Sequence, residues 1–207
     1  MKISIAIYRA LRNAYFAVSI PISSWKALTL FSLNGVHVGK GFLSKGSPLL
    51  DVSRKGKFNI GCNFNLNSGK HYNLIGGQYK CSFVVAPQAE LTIGDNVGMS
   101  NTAIVCHKKI IIANNVKIGG NVKIYDTDFH SLSAVERNHI PEIYNVKCGE
   151  VLISEGAFIG AHSIILKGTI IGKNCIIGAG SLVSGHIPDN EIWAGNPAKF
   201  IKSVNEL

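Results

Sequence analysis

The chain contains few charged residues, and acidic residues are the scarcer kind. Only 16% of its 207 residues are charged, with twelve acidic residues against 21 lysines and arginines. No acidic residue precedes Asp51, so the first fifty residues carry positive charge only. A basic, apolar segment of this kind suits an anionic membrane surface. Nucleic acid is not an expected partner, because no aromatic–basic interleaving or known nucleic-acid motif accompanies the charge.

Cysteines are also few and scattered. There are five of them, an odd number, and no two form a CxxC pair. Such a set implies no disulfide framework and favours a reducing cytoplasm as the location.

Long apolar runs are missing as well. No uninterrupted apolar run reaches eighteen residues, so the sequence does not predict a membrane-spanning helix. Arg9 and Arg12 interrupt the only segment that resembles a signal-peptide core.

Glycine, by contrast, is abundant, with 22 residues, and a six-residue period organises the chain after residue 150. An aliphatic residue returns at every sixth position, and a companion two places earlier faces the same side because side chains alternate along a strand. A period of six fits neither an amphipathic helix nor a simple alternating strand. It is typical of an all-β fold, the parallel β-helix of hexapeptide repeats, in which three units complete a coil of about eighteen residues. The aliphatic positions are Ile153, Ile159, Ile165, Ile171, Ile177 and Val183, and the companions are Val151, Ala157, Ser163, Thr169, Cys175 and Ser181.

The same pattern extends upstream with one slip of frame. Ile93, Met99 and Val105 keep the period, with Leu91, Val97 and Ala103 as companions, and the period then resumes at Ile112, Ile118 and Ile124. The spacing from Val105 to Ile112 is seven residues rather than six. We therefore expect Val105 to face the interior and a bulge or widened corner to lie near residues 107–109.

The first 34 residues form a separate N-terminal segment. Apolar residues at three- and four-residue spacing, among them Ile7, Leu11 and Tyr15, predict an amphipathic helix. Pro21 is expected to break this helix, with a second short helix after it. Two interpretations stay open and are compatible: the segment caps the end of the β-helix and shields its strand edge, or residues 1–32 contact a membrane peripherally.

The predicted β-helix domain spans residues 35–185 and contains one long interruption. Six-residue periodicity stops after Ile124 and resumes at Val151, which leaves an extended loop at about 125–150. A long polar excursion from a regular scaffold is a common place for function. The coil is expected to end after Val183, and residues 186–207 form a C-terminal tail.

Three stretches together resemble a known family. They are Asp126-Thr-Asp-Phe-His-Ser131, the coil Ile153–Val183, and Ile187-Pro-Asp-Asn followed by Ala194-Gly-Asn-Pro-Ala-Lys199. They are similar to hexapeptide-repeat O-acetyltransferases, most closely to the maltose and galactoside acetyltransferases and the related sugar and polysaccharide enzymes. The resemblance covers roughly residues 90–202. It implies a left-handed β-helix, a homotrimer with active sites between subunits, acetyl-CoA as donor, a sugar or surface-glycan hydroxyl as acceptor, and no metal or covalent intermediate.

The resemblance also suggests which residues carry the chemistry. A sugar hydroxyl must lose its proton as it attacks a thioester, and a neutral imidazole is suited to take it. His130 occupies the family's catalytic position and is predicted to be this general base. Asp128 or Asp126 is a candidate for fixing its tautomer or shaping the acceptor pocket, although an Asx-turn explains either residue as well. Ser100 and Asn101 are predicted to stabilise the oxyanion; a corner role for Asn101 is the alternative, and backbone amides could supply the same donors.

Acetyl-CoA contacts are likewise carried over from the resemblance. Small residues would let the pantetheine arm lie against the coil, and lysines would pair with its phosphates. Two positions depart from the pattern, because many relatives carry Trp where Phe158 stands and Lys where Gly185 stands. The predicted cofactor-binding residues are Phe158, Ala161, Ala179, Ser184, Gly185, Lys199 and Lys202. His162 is a further candidate for lining the groove.

Several other functions are compatible with a hexapeptide coil. A γ-class carbonic anhydrase would need three zinc-binding histidines, for which this sequence shows no set. A non-catalytic trimeric scaffold is an alternative that an intact His130 disfavours. Acetylation of a non-sugar acceptor such as serine is the competing reaction within acyl transfer, although the large helical domain usual for that enzyme is missing. A cytoplasmic sugar O-acetyltransferase, in peripheral contact with the inner membrane face, is the function that the sequence favours.

Overall fold

The computed structural model describes residues 2–138 and 145–206, with the side chains of residues 5–138 and 145–206. The chain begins with helix α1 (Lys2–Leu33), and a second, short helix, α2 (Ala134–Arg137), lies in the long loop. Twelve strands precede that loop: β1 (His37–Val38), β2 (Leu43–Lys45), β3 (Leu49–Val52), β4 (Lys57–Ile60), β5 (Asn65–Asn67), β6 (Ser82–Val85), β7 (Glu90–Ile93), β8 (Gly98–Ser100), β9 (Ala103–Cys106), β10 (Lys109–Ile112), β11 (Lys117–Gly120) and β12 (Lys123–Tyr125). Those after it are β13 (Val151–Ile153), β14 (Phe158–Ile159), β15 (Ile164–Ile165), β16 (Ile170–Ile171), β17 (Ile176–Ile177), β18 (Leu182–Val183), β19 (His186–Ile187), β20 (Glu191–Gly195) and β21 (Ala198–Ser203).

The strands form three parallel sheets that the chain visits in rotation. Face A has the order β1-β4-β7-β10-β13-β16-β19, face B the order β2-β5-β8-β11-β14-β17-β20-β21, and face C the order β18-β15-β12-β9-β6-β3. Each strand therefore pairs with the strand one coil away, and among these strands only β21 runs antiparallel to its neighbour. The predicted all-β fold, a parallel β-helix with an N-terminal helix, is confirmed at this level.

The interior is built from stacked aliphatic columns. Ile153 pairs with Ile171, Ile159 with Ile177, and Ile165 with Val183, each pair eighteen residues apart, and all six side chains are buried. The small polar companions are buried beside them and are hydrogen-bonded to corner carbonyls. Ser163 Oγ, for example, donates to the Gly178 carbonyl at 3.0 Å. The hexapeptide interpretation of residues 151–183 is therefore confirmed.

The upstream frame differs from the prediction. Ile104 and Cys106 are fully buried, whereas Val105 is only half-buried and faces outward, so the expected inward position of Val105 was wrong. Ile104 stacks on Ile124, and Val105 on Tyr125. The slip thus begins earlier than residues 107–109, at the corner occupied by Asn101. There the backbone turns through a positive φ of 47°, and the spacing from Met99 to Ile104 is five residues instead of six.

Helix α1 does not break at Pro21. It runs as one 32-residue helix with Pro21 inside it, so the prediction of two short helices was wrong. Packing of its second half onto the coil supplies the stability that the missing proline N–H removes. Ser24 Oγ accepts from the Ser44 amide at 2.9 Å, and Phe31 is buried among aromatic rings of the first coils, Phe42, Phe58 and Phe83. The second half of α1 therefore caps the end of the β-helix.

The remaining surface of α1 is apolar and exposed. By length and composition, residues 5–33 meet the requirement for crossing a membrane, which the search for uninterrupted apolar runs did not reveal. Such a helix is also common in soluble proteins, and here the first coils of the β-helix pack against its second half. The exposed side chains include Ile7, Tyr8, Leu11, Tyr15, Val18, Ile22, Trp25 and Leu33.

The coil also continues beyond its predicted end at Val183. β19 pairs with β16 on face A, and β20 pairs with β17 on face B, so the coil extends to Gly195. The predicted tail boundary at residue 186 therefore falls inside the coil. β21 then folds back on β20 as a hairpin and closes the edge of face B. The six-residue pattern fades here because the corner after Val183 is two residues shorter, so that Ile187 pairs with Ile171 at a spacing of sixteen residues instead of eighteen.

Candidate active site

The long loop leaves the coil at the edge between faces C and A, and Asp126 anchors it there. This residue is 0% exposed, and its carboxylate accepts three backbone hydrogen bonds, from His107 at 2.7 Å, Lys108 at 2.8 Å and Lys109 at 2.7 Å. Three successive amides around one carboxylate form an anion nest. Asp126 therefore fixes the corner between β9 and β10 to the base of the loop, which is a structural role rather than contact with His130.

The two ends of the loop pair with one another just above this anchor. The Gly149 amide donates to the Asp126 carbonyl at 2.8 Å, and the Asp128 amide to the Lys147 carbonyl at 3.1 Å. Thr127 and Cys148 form an antiparallel bridge between them. The segment that precedes His130 is consequently held by backbone bonds on both sides.

His130 follows a strained turn. Phe129 has a φ of 62°, a rare conformation for a bulky residue, and the His130 amide donates to the Asp128 carbonyl at 2.7 Å across it. The Phe129 amide donates to Thr127 Oγ1 at 3.1 Å, and its ring packs against Tyr125. Strain of this kind persists only where the surroundings enforce it, and it is concentrated at functional sites. The turn presents His130 as an exposed side chain at the loop surface.

Asp128 faces a lysine from the next coil. Lys167 Nζ lies 3.4 Å from Asp128 Oδ2, an oxygen that is buried and makes no hydrogen bond within the described part of the chain. The ion pair thus offsets the free-energy cost of burying this carboxylate oxygen away from water. Lys167 was not predicted from the sequence, because it lies 39 residues from Asp128 and carries no motif of its own. Whether Asp128 orients His130 stays a prediction.

The rest of the loop is ordered by short-range polar contacts as far as residue 138. Ser133 caps α2, Ser131 Oγ donates to the Glu136 carboxylate, and Arg137 donates to the Ser131 carbonyl at 2.8 Å. Residues 139–144 lie outside the described part of the structure. The contacts of Glu136 and Arg137 hold the backbone on the C-terminal side of His130, as the Asp126 nest does on its N-terminal side.

Ser100 and Asn101 lie on a different edge, between faces B and C, and are buried. The Asn101 amide is used to hold the segment 69–80: its Oδ1 accepts from the Gly69 amide at 3.0 Å, and its Nδ2 donates to the Asn73 and Gly77 carbonyls at 3.3 and 3.4 Å. Ser100 Oγ accepts from Asn67 at 3.1 Å. Asn101 therefore occupies a corner, and within one chain the pair lies on a different edge from His130. Whether Ser100 and Asn101 stabilise an oxyanion stays a prediction.

His162 lies on the same B–C edge and takes part in a polar relay. Asn121 Nδ2 contacts His162 Nδ1 at 3.1 Å, and Lys123 Nζ donates to Asn121 Oδ1 at 3.2 Å. Because an ammonium only donates, Oδ1 of Asn121 must face Lys123, and its NH₂ must face the imidazole. His162 Nδ1 is therefore the acceptor, and its Nε2 carries the proton in the neutral ring.

The predicted cofactor residues divide between two edges of the coil. Ala161 and exposed Ala179 lie on the B–C edge beside Phe158, whose ring is 47% exposed on face B. Ser184 and Gly185 lie instead on the C–A edge, as His130 does, while Lys199 and Lys202 lie on β21. Small residues let successive coils pack closely at the B–C edge, since a Cβ on Gly160 would approach the Ala179 amide to 2.5 Å. We call this row of small residues, Gly160, Ala161 and Ala179, the ledge. Within one chain, His130 therefore shares its edge with Ser184 and Gly185 but not with Ala161 and Ala179.

The buried thiols are not nucleophiles in this structure. Desolvation raises the pKa of the Cys81 thiol to about 12, and burial, followed by the Asp126 carboxylate, raises that of Cys106 as well. Burial is also the main cause of the raised pKa of Cys175. All three thiols therefore remain protonated at neutral pH and act as small packing groups. Among the described residues, no group of three or more His, Cys, Asp or Glu side chains forms a candidate metal site.

Comparison with known proteins shows similarity to transferases with hexapeptide repeats. Residues 150–185 match the family model described as bacterial transferase hexapeptide (six repeats). Over 106 residues, 51% of the chain, it is 41% identical to a galactoside O-acetyltransferase of Lactococcus lactis, of which the alignment covers 49%. It is 28% identical over 74% of its length to the putative lipopolysaccharide biosynthesis O-acetyl transferase WbbJ of Escherichia coli, of which 76% is covered. The chain thus spans about half the length of the first of these relatives and three quarters of the second.

A solved structure supports the same assignment. A point mutant of AntD, an N-acyltransferase from Bacillus cereus in complex with dTDP and coenzyme A, superposes with a TM-score of 0.63 at 25% identity and covers 84% of this chain and 87% of its own. The predicted resemblance to hexapeptide-repeat acetyltransferases of the galactoside group is confirmed.

Proposed function

We propose that this protein is an acetyl-CoA-dependent O-acetyltransferase that acylates a hydroxyl of a sugar or of a surface-glycan precursor. The observation that supports it most is the anchored loop, which presents His130 after a strained turn on a hexapeptide coil. The galactoside and lipopolysaccharide O-acetyltransferases among its relatives support the acceptor class. We take the coil to be left-handed, the winding that the family resemblance implies.

In this proposal His130 acts as general base. Its neutral imidazole takes the proton of the acceptor hydroxyl as the oxygen attacks the thioester carbonyl of acetyl-CoA. The tetrahedral intermediate then collapses, the C–S bond breaks, and the imidazolium returns the proton to the departing CoA thiolate. The Ser100 hydroxyl or backbone amides supply the oxyanion donors in this proposal, because the Asn101 amide is already bonded to the segment 69–80.

The active site is completed by a second copy of the chain, in a homotrimer. Two edges of the coil carry the predicted site residues, and they meet only if the C–A edge of one copy faces the B–C edge of the next. Outward apolar columns on the sheets support such packing: Ile111, Leu152 and Ile170 on face A, and Ile164 and Leu182 on face C. Light scattering should give a mass three times that of the chain, and a monomer with full activity would contradict this arrangement.

The donor site can be tested at the ledge of the B–C edge. Replacing Ala179 with Trp places an indole where the pantetheine arm is proposed to lie, so the affinity for acetyl-CoA should fall at least tenfold, a cost of about 1.4 kcal/mol. Calorimetric titration measures this change. Ala113→Trp is the matched control, because Ala113 lies beside Gly94 on the A–B edge as Ala179 lies beside Gly160. Equal loss of affinity in both variants would show that the ledge is not the donor site.

Contact with the inner membrane face belongs to the same proposal, with the protein otherwise cytoplasmic. The exposed apolar side of α1 would lie in the headgroup region while its second half caps the coil. Val18→Asp should reduce binding to phosphatidylglycerol vesicles several-fold in a flotation assay. Leu74→Asp, at an exposed leucine outside α1, serves as control and should bind as wild type does. Equal binding by all three proteins would remove α1 from the membrane contact.

The acceptor class is tested by release of CoA thiol with a panel of acceptors. Turnover with sugars or lipid-linked saccharides, and none with serine, supports the proposed function. Preferential turnover with an amino sugar would favour N-acylation, the reaction named for the Bacillus cereus neighbour. Turnover with serine alone would establish a non-sugar acceptor, and failure to bind acetyl-CoA at all would favour the non-catalytic scaffold.

A further inference from the structure

A cleft between α1 and the segment 69–80 is not used by the proposed reaction. Three adjoining cavities of about 390, 460 and 250 Å³ share Tyr72 as a common wall. We call their union the Tyr72 cleft. It lies at the capped end of the coil, where Tyr72 packs against Phe16 of α1 with ring centroids 6.0 Å apart.

The two sides of the Tyr72 cleft differ in chemistry. The side formed by α1 is largely apolar and continues into the exposed surface of the helix; it is lined by Tyr15, Phe16, Val18, Ile20 and Ile22. The other side and the rim carry four lysines, Lys26, Lys45, Lys70 and Lys80, with His71 between them. Among the described residues, no acidic side chain lines any of the three cavities. The four lysines also form no ion pair within the part of the chain that the structure describes.

The cleft lies in the part of the chain where positive charge is concentrated. Residues 1–89 contain eleven lysines and arginines and a single acidic residue, Asp51, whereas residues 90–207 contain ten and eleven. The whole net positive charge of the protein thus belongs to the helix and the first coils. A low-dielectric cleft lined by one sign of charge concentrates ligands of the opposite sign.

Neutral hydroxyls add to this environment. The charge interaction with Tyr72, followed by their hydrogen bond, raises the pKa of the Tyr15 phenol, so this group remains a donor at neutral pH. Phenol donors, ammonium groups and an apolar wall suit different parts of one ligand: a phosphate and the hydrocarbon chain esterified to it.

We propose that the Tyr72 cleft binds a lipid phosphate, with the phosphate at Lys45, Lys70 and Lys80 and the first part of the hydrocarbon chain along Val18 and Ile22 of α1. This deepens the proposed function, since a site for the lipid phosphate would hold a lipid-linked saccharide acceptor beside the enzyme. Binding at this cleft requires neither acetyl-CoA nor turnover, so it can be measured even if the proposed reaction is wrong.

The fluorescence of Trp25 can report binding of the hydrocarbon chain of the lipid. It is 67% exposed and follows Val18 and Ile22 at helical spacing, so it extends the same row. In a Trp193→Phe background Trp25 is the only tryptophan. Farnesyl monophosphate below its micellar concentration is the probe, with farnesol and inorganic phosphate as its two halves. We expect saturable binding of farnesyl phosphate with a blue shift of Trp25 emission, and binding of either half at least tenfold weaker.

The matched variants keep the charge change constant. Lys45→Gln/Lys70→Gln/Lys80→Gln removes three cations from the cleft, and Lys40→Gln/Lys55→Gln/Lys57→Gln removes three exposed cations from the same basic end. The cleft variant should bind farnesyl phosphate at least tenfold more weakly, while the control variant stays within about threefold of wild type. Equal binding by the two variants would overturn the site. Equal affinity for farnesol would show an apolar groove without a phosphate site, and equal affinity for inorganic phosphate would show an anion site without a lipid.

Discussion

His130→Ala should lower turnover by roughly 10²–10⁴-fold while leaving the affinity for acetyl-CoA unchanged. The imidazole is proposed to take the hydroxyl proton in the transition state, and it stands on a loop rather than on the small-residue ledge proposed for the donor. Removing it should therefore lower kcat without changing the dissociation constant measured by calorimetry. Steady-state release of CoA thiol, with the acceptor that the panel identifies, measures the first quantity.

His37→Ala is the control for this variant. His37 is an exposed histidine on β1, in the first coil, and its loss should leave kcat within about twofold of wild type. Near-wild-type turnover of His130→Ala would exclude His130 from the mechanism, whatever the behaviour of the control.

Asp126→Asn should destabilise the protein by about 3–5 kcal/mol and abolish most of the activity. The Asp126 carboxylate accepts three amide hydrogens with two oxygens. In the amide, one oxygen becomes an NH₂ group that faces backbone donors, so one or two amides lose their acceptor in a buried site. Urea unfolding measures the loss of stability, and the loop that carries His130 should loosen at its base.

Asp189→Asn is the matched control for Asp126. Asp189 also accepts a backbone hydrogen bond, from the Lys173 amide at 2.7 Å, but it lies at an exposed corner where water can replace the lost interaction. We expect a cost below about 1 kcal/mol there. Equal destabilisation by the two substitutions would show that the three-amide nest is not what secures the loop.

The regular part of the coil was predictable because each of its residues obeys one local rule. From Val151 to Val183 every coil has eighteen residues, so inward positions repeat without correction from tertiary contacts. Upstream, the corner at Asn101 is set by its bonds to the segment 69–80, and the corner at residues 107–108 by Asp126. Those partners lie 18 to 32 residues away in sequence, so periodicity alone misplaced Val105 by one position.

Other departures also arise from tertiary contacts that no local pattern encodes. A proline at a position such as that of Pro21 usually ends a helix. Here the packing of Ser24 and Phe31 onto the first coils keeps α1 helical on both sides of the proline. Asn101 resembles a polar active-site residue by position alone, and its use as a corner residue became visible only with the fold. His130 was identified through the family resemblance, whereas the strained turn at Phe129 that presents it depends on pairing of the two loop ends.

The central claim is that the protein uses acetyl-CoA. Calorimetric titration of acetyl-CoA into the purified chain tests it most directly, because this measurement requires no knowledge of the acceptor. The account predicts saturable binding at about one molecule per chain, at least tenfold weaker in Ala179→Trp and unchanged in His130→Ala. Absence of binding at millimolar acetyl-CoA would contradict it and would show that the departures at Phe158 and Gly185 leave a β-helix without a donor site.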